Sequence, residues 1–132
     1  MIERKDLTGR MVYCEYGTYG KEKSMKQERI IPYDKAIRDK IPEIIKATGK
    51  TPVVETVDPE VFARYLNEKL EEELNEYRKE GSIEELADLV EVVYGLLHLK
   101  GITVQEFEAI RTEKAKKRGG FEKRLVLKKV IE

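Results

Sequence analysis

Hydrophobic residues recur at the spacing of an α-helix over three long stretches of the chain, and residues typical of helix ends flank each stretch. Asp58 and Pro59 are typical of a helix start, while Gly81-Ser82 ends that helix and begins the next. Pro42 begins a fourth, shorter helix that ends before Gly49. The four predicted helices span about residues 42–47, 58–79, 83–99 and 103–118.

The segment 83–99 is the most hydrophobic of these helices. On a helical wheel its apolar side chains cover most of the circumference, a pattern typical of a buried helix. Glu85 shares an arc with Val92 and Leu96, where an ionised carboxylate is costly unless it is protonated, paired or bound to a metal. A single polar stripe runs beside it, formed by Glu84, Asp88, Glu91, Gly95 and His98.

Extended structure is predicted in three short stretches that are rich in β-branched, aromatic or other apolar residues. The glycines at 17 and 20 suggest a turn after the first stretch. The last predicted helix is expected to use Val104, Phe107 and Ile110 as its inner face. Residues 1–32 are interpreted as an N-terminal extension, either a packing arm or a flexible segment, and residues 33–132 as the main domain. The three extended stretches are 11–16, 51–57 and 125–131.

Two acidic pairs occupy the two central predicted helices, each with its members three positions apart. Glu73 and Glu76 form the first pair, and Glu85 and Asp88 form the second. This spacing places both carboxylates of a pair on one side of a helix, with Cβ atoms about 5–6 Å apart. Antiparallel packing would bring all four together as a ligand set suited to Mg²⁺. Two alternatives remain open: solvated side chains on amphipathic helices, or a capping box between Ser82 and Glu85.

Composition and charge narrow the possible classes of protein. The 132 residues are 40% hydrophobic and 39% charged, which is enough apolar content for a folded domain. The formal net charge is zero, but residues 58–99 carry 12 acidic and 4 basic side chains. Residues 1–57 and 100–132 are net basic, at +3 and +5. An acidic centre with basic flanks suits a metal cluster that acts on a polyanion, and it does not suggest a general nucleic-acid binder.

Several other features are expected to be absent. Cys14 is the only cysteine, so no disulfide can form within the chain. No apolar run reaches the ~18 residues of a membrane span, and the first ten residues lack the apolar core of a signal peptide. The sequence also lacks a P-loop, a GxGxxG string and a Cys/His zinc pattern. These observations together lead us to expect a cytoplasmic protein without a membrane partner.

Three strings in the sequence resemble a known superfamily. ELNE at 73–76 and ELAD at 85–88 resemble the ExxE…ExxD signature of the all-α, MazG-like nucleoside triphosphate pyrophosphohydrolases. KAIRDKIPEII at 35–45 is similar to the KLVRDKIPEII opening of a phosphoribosyl-ATP pyrophosphohydrolase-like branch of that superfamily. KRGGF at 117–121 resembles a further string of the same branch, in which it borders the nucleotide site. The resemblance covers residues 33–127.

This resemblance implies a mainly α fold, an antiparallel helix bundle with short extended segments that is completed by oligomerisation as a homodimer or homotetramer. It implies Mg²⁺-dependent hydrolysis, with Mn²⁺ as an alternative ion, of a canonical or non-canonical nucleoside triphosphate, or of a similar nucleotide, to the monophosphate and pyrophosphate. One carboxylate would also orient the attacking water. The metal would be held by Glu73, Glu76, Glu85 and Asp88. Phosphate oxygens would be bound by Arg38, Lys40, Lys117 and Arg118.

Other interpretations of the same residues stay open. Phosphoribosyl-ATP pyrophosphohydrolase of histidine biosynthesis is an alternative enzyme with the same bond chemistry, and an acidic helical interaction module is the alternative without catalysis. Arg38 can instead form a local ion pair with Asp39. The basic residues at 114–118 also suit the C-terminal end of a helix dipole. His98 is interpreted as a hydrogen-bonded core or interface residue and not as a catalytic base.

Overall fold

The computed structural model describes residues 2–5, 11–14 and 28–132, and the chain divides into two compact units, residues 1–34 and 35–132. In the first unit, β1 (Ile2–Lys5) and β2 (Met11–Cys14) pair as antiparallel strands. β2 covers the first four residues of the strand predicted at 11–16. The predicted turn after it and the polar stretch 21–27 lie outside the described residues.

The second unit contains four helices, so the prediction of a mainly α protein is confirmed. Each helix agrees with its predicted position to within one or two residues. Gly49 follows the first helix with a φ of +81°, as expected for its helix-stop role. The helices are α1 (Ile41–Ala47), α2 (Pro59–Glu80), α3 (Ile83–Leu99) and α4 (Val104–Arg118).

The predicted capping residues begin the three long helices. The Asp58 carboxylate accepts the Val61 N–H at 2.9 Å at the start of α2, and the Ser82 hydroxyl accepts the Glu85 N–H at 3.4 Å at the start of α3. Thr103 begins α4 with the full capping box that its spacing predicts. Between α2 and α3, Gly81 adopts a φ of +65°, a left-handed conformation that glycine tolerates without strain. These local features direct α3 back along α2.

The core lies between α2 and α3. The two helices pack as an antiparallel hairpin, and its buried apolar residues are Ala36, Leu66 and Val92. A Cβ added to Gly95 would stand 3.2 Å from Leu66 Cδ1, so the backbones of the two helices approach closely there. Ala36 joins this core from the segment before α1, and that segment thereby lies against the hairpin.

A single chain buries α3 only in part, and the prediction that a second copy covers the rest stays a prediction. Only Val92 of this helix is buried, while Ile83 is 75% exposed and Val90 is 44% exposed. The predicted inner face of α4 is covered only in part, since Phe107 is half-buried while Val104 and Ile110 are exposed. The physical reason is that α2 covers one side of α3 and α4 contacts α3 little, so most other apolar residues of α3 are only half-buried.

The two extended segments predicted in this unit do not become strands. Residues 51–57 and 125–131 pair with no other segment in the part of the chain that the structure describes. The apolar residues of the second segment remain 72–84% exposed. An isolated extended segment gains no stability without a partner strand. High β-propensity is therefore not sufficient to make either segment a strand.

None of the helices within residues 28–132 combines the length and the hydrophobicity that crossing a membrane requires. α2 is the longest, with 22 residues, but charged side chains occur along it. α3 is the most apolar and has 17 residues.

Candidate functional site

Three of the four predicted metal ligands come together between α2 and α3. Glu73, Glu85 and Asp88 each place one carboxylate oxygen within 4.8 Å of the others. Glu73 is buried, with 9% of its surface exposed, and the other two are half-buried. Glu73 lies within α2, and Glu85 and Asp88 lie in the first two turns of α3. The packing of the two helices therefore sets the spacing of the three residues. This group is called the acidic trio below.

The fourth predicted ligand, Glu76, belongs to a neighbouring group. Glu76, Glu80 and Glu85 also place carboxylate oxygens within 4.8 Å of one another, and Glu85 is common to both groups. Glu80 was not predicted to take part. It lies four residues after Glu76 and directly before the turn at Gly81, a position from which its side chain meets the start of α3. Glu76 and Glu80 are four positions apart, beside the two-residue connection between α2 and α3, and this spacing is the sequence signal that indicates a role for Glu80.

The crowding of carboxylates changes the acidity of Glu85. Desolvation raises the pKa of Glu85 above its ordinary value of 4.5, and the negative charges of Glu80, Asp88, Glu73 and Glu76 raise it further, in that order. The Glu85 carboxylate does not complete a capping box with Ser82, and within residues 28–132 only Thr103 and Glu106 form one. The Ser82 cap therefore contacts only the backbone N–H of Glu85. The Glu85 side chain lies beside the other carboxylates.

Two basic residues contact the acidic trio. The Arg38 guanidinium donates a hydrogen bond from Nη2 to Asp88 Oδ1 at 2.8 Å, across 50 positions of sequence. The Lys69 ammonium nitrogen lies 3.4 Å from Glu73 Oε1, and the Lys69 side chain is only 17% exposed. Arg38 therefore pairs with a predicted metal ligand, and the local pair with Asp39 is not formed in the described structure. Lys69 was not predicted, although it lies one helical turn before Glu73 on the same face.

The other predicted phosphate-binding residues form no hydrogen bond or ion pair with the acidic trio in the part of the chain that the structure describes. Lys40 is exposed at the N-terminal cap of α1, and Arg118 is exposed at the last position of α4. Lys117 pairs with Glu113 one turn earlier on its own helix, at 3.5 Å. Among the hydrogen bonds and ion pairs of residues 28–132, none joins these three residues to the acids. Their predicted contact with phosphate stays a prediction.

A cleft of about 360 Å³ opens beside the acidic trio, between α2, α3 and residues 36–39. Glu73 and Asp88 line it together with Arg38 and Lys69, so charges of both signs meet at one end. The remaining lining is mainly apolar and aromatic. It includes the three buried core residues as well as Phe62, Tyr94 and His98. His98, interpreted from the sequence as a core or interface residue, is exposed at this cleft. We call this the α2–α3 cleft.

Comparisons with known proteins give little further guidance. No family model matches this chain, and no solved structure matches it. The chain is 45% identical over 42 residues to an uncharacterized protein of Mycolicibacterium smegmatis (strain ATCC 700084 / mc(2)155). The match covers 32% of this chain and 43% of that relative, so the chain spans less than half of the relative's length. The relative's name states no activity.

Proposed function

We propose that this chain is a metal-dependent nucleotide pyrophosphohydrolase that converts a nucleoside triphosphate and water into the nucleoside monophosphate and pyrophosphate. The observation that carries the proposal is the convergence of Glu73, Glu85 and Asp88 within 4.8 Å. Three anionic side chains at this distance repel one another, and a cation with hard oxygen preference balances them. The resemblance of the two acidic strings to the MazG-like signature supports the same assignment.

The donor set fits a divalent ion. All three members of the acidic trio offer carboxylate oxygens, the ligand type that Mg²⁺ and Mn²⁺ prefer. Desolvation, and after it the surrounding negative charges, raise the pKa of Glu85, which is the behaviour expected of a carboxylate in a half-buried acidic site. Glu76 and Glu80 share Glu85 with the trio and would hold a second ion or support the first. When bound, the ion would neutralise phosphate charge and make water a stronger nucleophile.

The protein's own side chains supply orientation. Arg38 already lies over Asp88, and its planar guanidinium matches the geometry of phosphate oxygens. Lys69 offers a second positive charge beside Glu73. A carboxylate of the cluster that accepts a hydrogen bond from water orients it for attack on the phosphoric anhydride. The water proton passes to that carboxylate, the anhydride P–O bond breaks and pyrophosphate leaves.

Pyrophosphate release from a panel of nucleotides tests the proposal. The panel contains the common ribo- and deoxyribonucleoside triphosphates and phosphoribosyl-ATP, each with Mg²⁺, Mn²⁺ or a chelator. We expect metal-dependent release that Asp88→Asn abolishes, because Asn keeps the shape of Asp but loses its charge. Glu84→Gln is the matched control, since Glu84 is exposed on the same helix and lies in neither acidic group. Absence of release from every nucleotide would favour the interaction module instead.

We also propose that a second copy of the chain completes the bundle. Support comes from the large exposed apolar side chains on α3 and α4, among them Ile83, Val90, Val104 and Ile110. Monomeric proteins rarely leave so many apolar residues uncovered on adjacent elements. Association through these faces would bury the sides of α3 that α2 leaves exposed.

A further inference from the structure

We propose that Lys69 is a built-in counter-ion of the acidic trio, and that its ammonium group moves to Glu72 when a divalent cation binds. This role rests on the proposed function, because the acidic trio is taken as the cation site. It also goes beyond that function, since the acidic strings of the sequence assign no role to Lys69 or Glu72. One lysine side chain would thereby determine how tightly the site holds a cation.

The Lys69 ammonium lies between two carboxylates of its own helix. Its Nζ atom is 3.4 Å from Glu73 Oε1 and 3.6 Å from Glu72 Oε1. Glu72 and Glu73 follow Lys69 by three and four positions, so both lie about one turn further along α2. Because the lysine stem is flexible, a small rotation of the side chain is enough to exchange one partner for the other.

The two acidic partners of Lys69 differ in burial. The Glu73 side chain is 12% exposed, whereas the Glu72 side chain is 38% exposed. An ionised carboxylate as buried as that of Glu73 needs a positive charge beside it, while water solvates Glu72. Lys69 is itself largely buried, as is uncommon for lysine. In the metal-free protein its ammonium therefore supplies the positive charge that Glu73 requires.

Glu72 already has the surroundings of a second position for the ammonium. The Lys35 Nζ atom donates a hydrogen bond to Glu72 Oε1 at 3.3 Å, and this contact joins the segment before α1 to α2. The same oxygen is the one that faces Lys69. Because Glu72 is partly exposed, water screens the repulsion between two ammonium groups that share it.

Charge balance favours displacement of Lys69 rather than its retention. The ionised trio carries three negative charges, and Arg38 and Lys69 contribute two positive charges. A divalent cation added to both bases would leave an excess of one positive charge, whereas the trio, Arg38 and the cation balance without Lys69. Among the ion pairs in the described part of the chain, Arg38 has one acidic partner and Lys69 has two. Lys69 is therefore the base that can leave without losing an ion pair.

Calorimetric titration with Mn²⁺ and thermal melting in chelator test this role. Lys69→Met keeps the length of the side chain but removes its charge. We expect it to bind Mn²⁺ about tenfold more tightly than wild type, because the competing cation is gone. In chelator it should melt about 4 °C or more below wild type, because Glu73 has lost its partner. Unchanged or weaker Mn²⁺ binding by Lys69→Met would overturn the proposal.

Two further variants serve as controls for the change of charge. Lys69→Arg keeps the positive charge and should bind Mn²⁺ as wild type does. Lys46→Met makes the same substitution at an exposed lysine of α1, so it should change neither the affinity for Mn²⁺ nor the melting temperature in chelator. An equal gain of affinity in Lys69→Met and Lys46→Met would point to net charge alone and would refute a specific role of Lys69.

The part played by Glu72 is tested by a double-mutant cycle. Glu72→Gln should weaken Mn²⁺ binding more than Glu71→Gln, which removes the same charge at an exposed neighbouring position. In the Lys69→Met background the two changes should have equal effects, because no ammonium is left to receive. An effect of Glu72→Gln that is the same with and without Lys69 would contradict the exchange of partners.

NMR of the lysine side-chain ammonium groups tests the movement in wild type, even if Lys69→Met does not fold. Lys69→Arg identifies the Lys69 signal by removing it. Saturating Mg²⁺ should shift that signal and leave the signal of Lys46 in place. A Lys69 signal that does not respond to Mg²⁺ would show that the ammonium stays where it is, contrary to the proposal.

The outcomes also distinguish the counter-ion role from the proposed function. Metal-dependent pyrophosphate release by wild type, with an unchanged affinity for Mn²⁺ in Lys69→Met, would remove the counter-ion role and leave the hydrolase intact. Tighter Mn²⁺ binding by Lys69→Met, without hydrolysis of any nucleotide by wild type, would remove the hydrolase and leave Lys69 as the counter-ion of a cation site.

Discussion

Leu66 lies against Gly95, where a Cβ would come to 3.2 Å of the Leu66 Cδ1 atom. Seven residues, about two helical turns, separate Leu66 from Glu73 on α2, and seven separate Gly95 from Asp88 on α3. Three residues further along each helix, Glu76 and Glu85 stand level with each other. The close approach at Gly95 therefore fixes the register in which the acids meet.

A large side chain at position 95 is expected to separate the helices. Gly95→Leu should lower the free energy of unfolding by about 1–3 kcal/mol, the usual cost of overpacking, despite the better helix propensity of leucine. It should also weaken divalent-ion binding, because the acidic trio lies two turns away. Urea denaturation and calorimetric titration with Mn²⁺ measure the two effects.

Two controls accompany that variant. Gly95→Ala needs Leu66 to move by only a few tenths of an ångström, so it should remain within about 1 kcal/mol of wild type. Ala87→Leu places the same leucine side chain at an exposed position of α3 and should change neither stability nor ion binding by much. If Gly95→Leu behaved like Ala87→Leu, the register would not depend on the Leu66 contact.

Glu85 is expected to make the metal-free protein less stable as pH rises. Its pKa in the folded protein is above the ordinary 4.5, so between these values the folded state binds more protons than the unfolded state. The stabilisation is complete below the unfolded pKa and is lost as pH rises through the raised folded pKa. In the presence of a chelator, Glu85→Gln should therefore have a higher melting temperature than wild type at pH 7, and the difference in melting temperature should be smaller near pH 4.5.

Added Mg²⁺ should reverse the order of the melting temperatures, so that wild type melts above Glu85→Gln. Wild type gains stability from ion binding to the folded state, and Glu85→Gln should gain less because it has lost one carboxylate. Glu84→Gln serves as control and should follow wild type with and without Mg²⁺. A wild-type melting temperature that does not respond to saturating Mg²⁺ or Mn²⁺ would count against a metal site.

The Arg38–Asp88 pair is expected to matter more for activity than for folding. Both side chains are about half exposed, at 56% and 42%, and exposed ion pairs of this kind contribute about 0–1 kcal/mol. A double-mutant cycle of Arg38→Ala and Asp88→Asn should give a coupling energy of unfolding below about 1 kcal/mol. Arg38→Ala alone should lower kcat/KM for nucleotide hydrolysis by about tenfold or more through loss of a phosphate contact. A coupling energy of several kcal/mol with unchanged kcat/KM would instead make Arg38 a purely structural residue.

Local chemistry explains why the helices were predictable. Asp58, Ser82 and Thr103 each accept the N–H three residues later, and these bonds depend only on neighbours in sequence. The acidic trio was predictable for the same reason, because i, i+3 spacing and a two-residue connection determine which faces meet. Glu76 lies outside the trio, in a second group with Glu80 and Glu85. This arrangement depends on side-chain directions that periodicity does not specify.

Contacts across long sequence distances were not predictable in this way. The partner of Arg38 is Asp88, 50 positions away, and not its neighbour Asp39. The α2–α3 cleft depends on where residues 36–39 settle against the hairpin, which no local pattern encodes. The apolar character of α3 was recognised correctly, but burial depends on what covers the helix, and one chain covers only part of it.

We expect the protein to self-associate, because a single chain covers the apolar sides of α3 only in part. Light scattering at micromolar concentration should give a multiple of the 15.4 kDa chain mass. Val90→Glu places a charge on an exposed apolar position of α3 and should shift the protein toward monomer, because an interface of this kind does not accept an unpaired charge. Lys114→Glu, a change of charge at an exposed polar position of α4, is the control. A monomeric wild type at these concentrations would contradict the prediction.

The 50-residue separation between Arg38 and Asp88 also has a consequence for the order of folding. α2 and α3 are joined by two residues, so their mutual contacts close short loops at low entropic cost. Residues 36–39 also contact the hairpin across long sequence distances, 50 positions for Arg38 and Asp88, and such contacts become favourable once there is a surface to receive them. We therefore expect the acidic trio to assemble with the hairpin, and the wall formed by residues 36–39 to be added later. A chain arrested between these steps would contain the acidic trio but not the α2–α3 cleft.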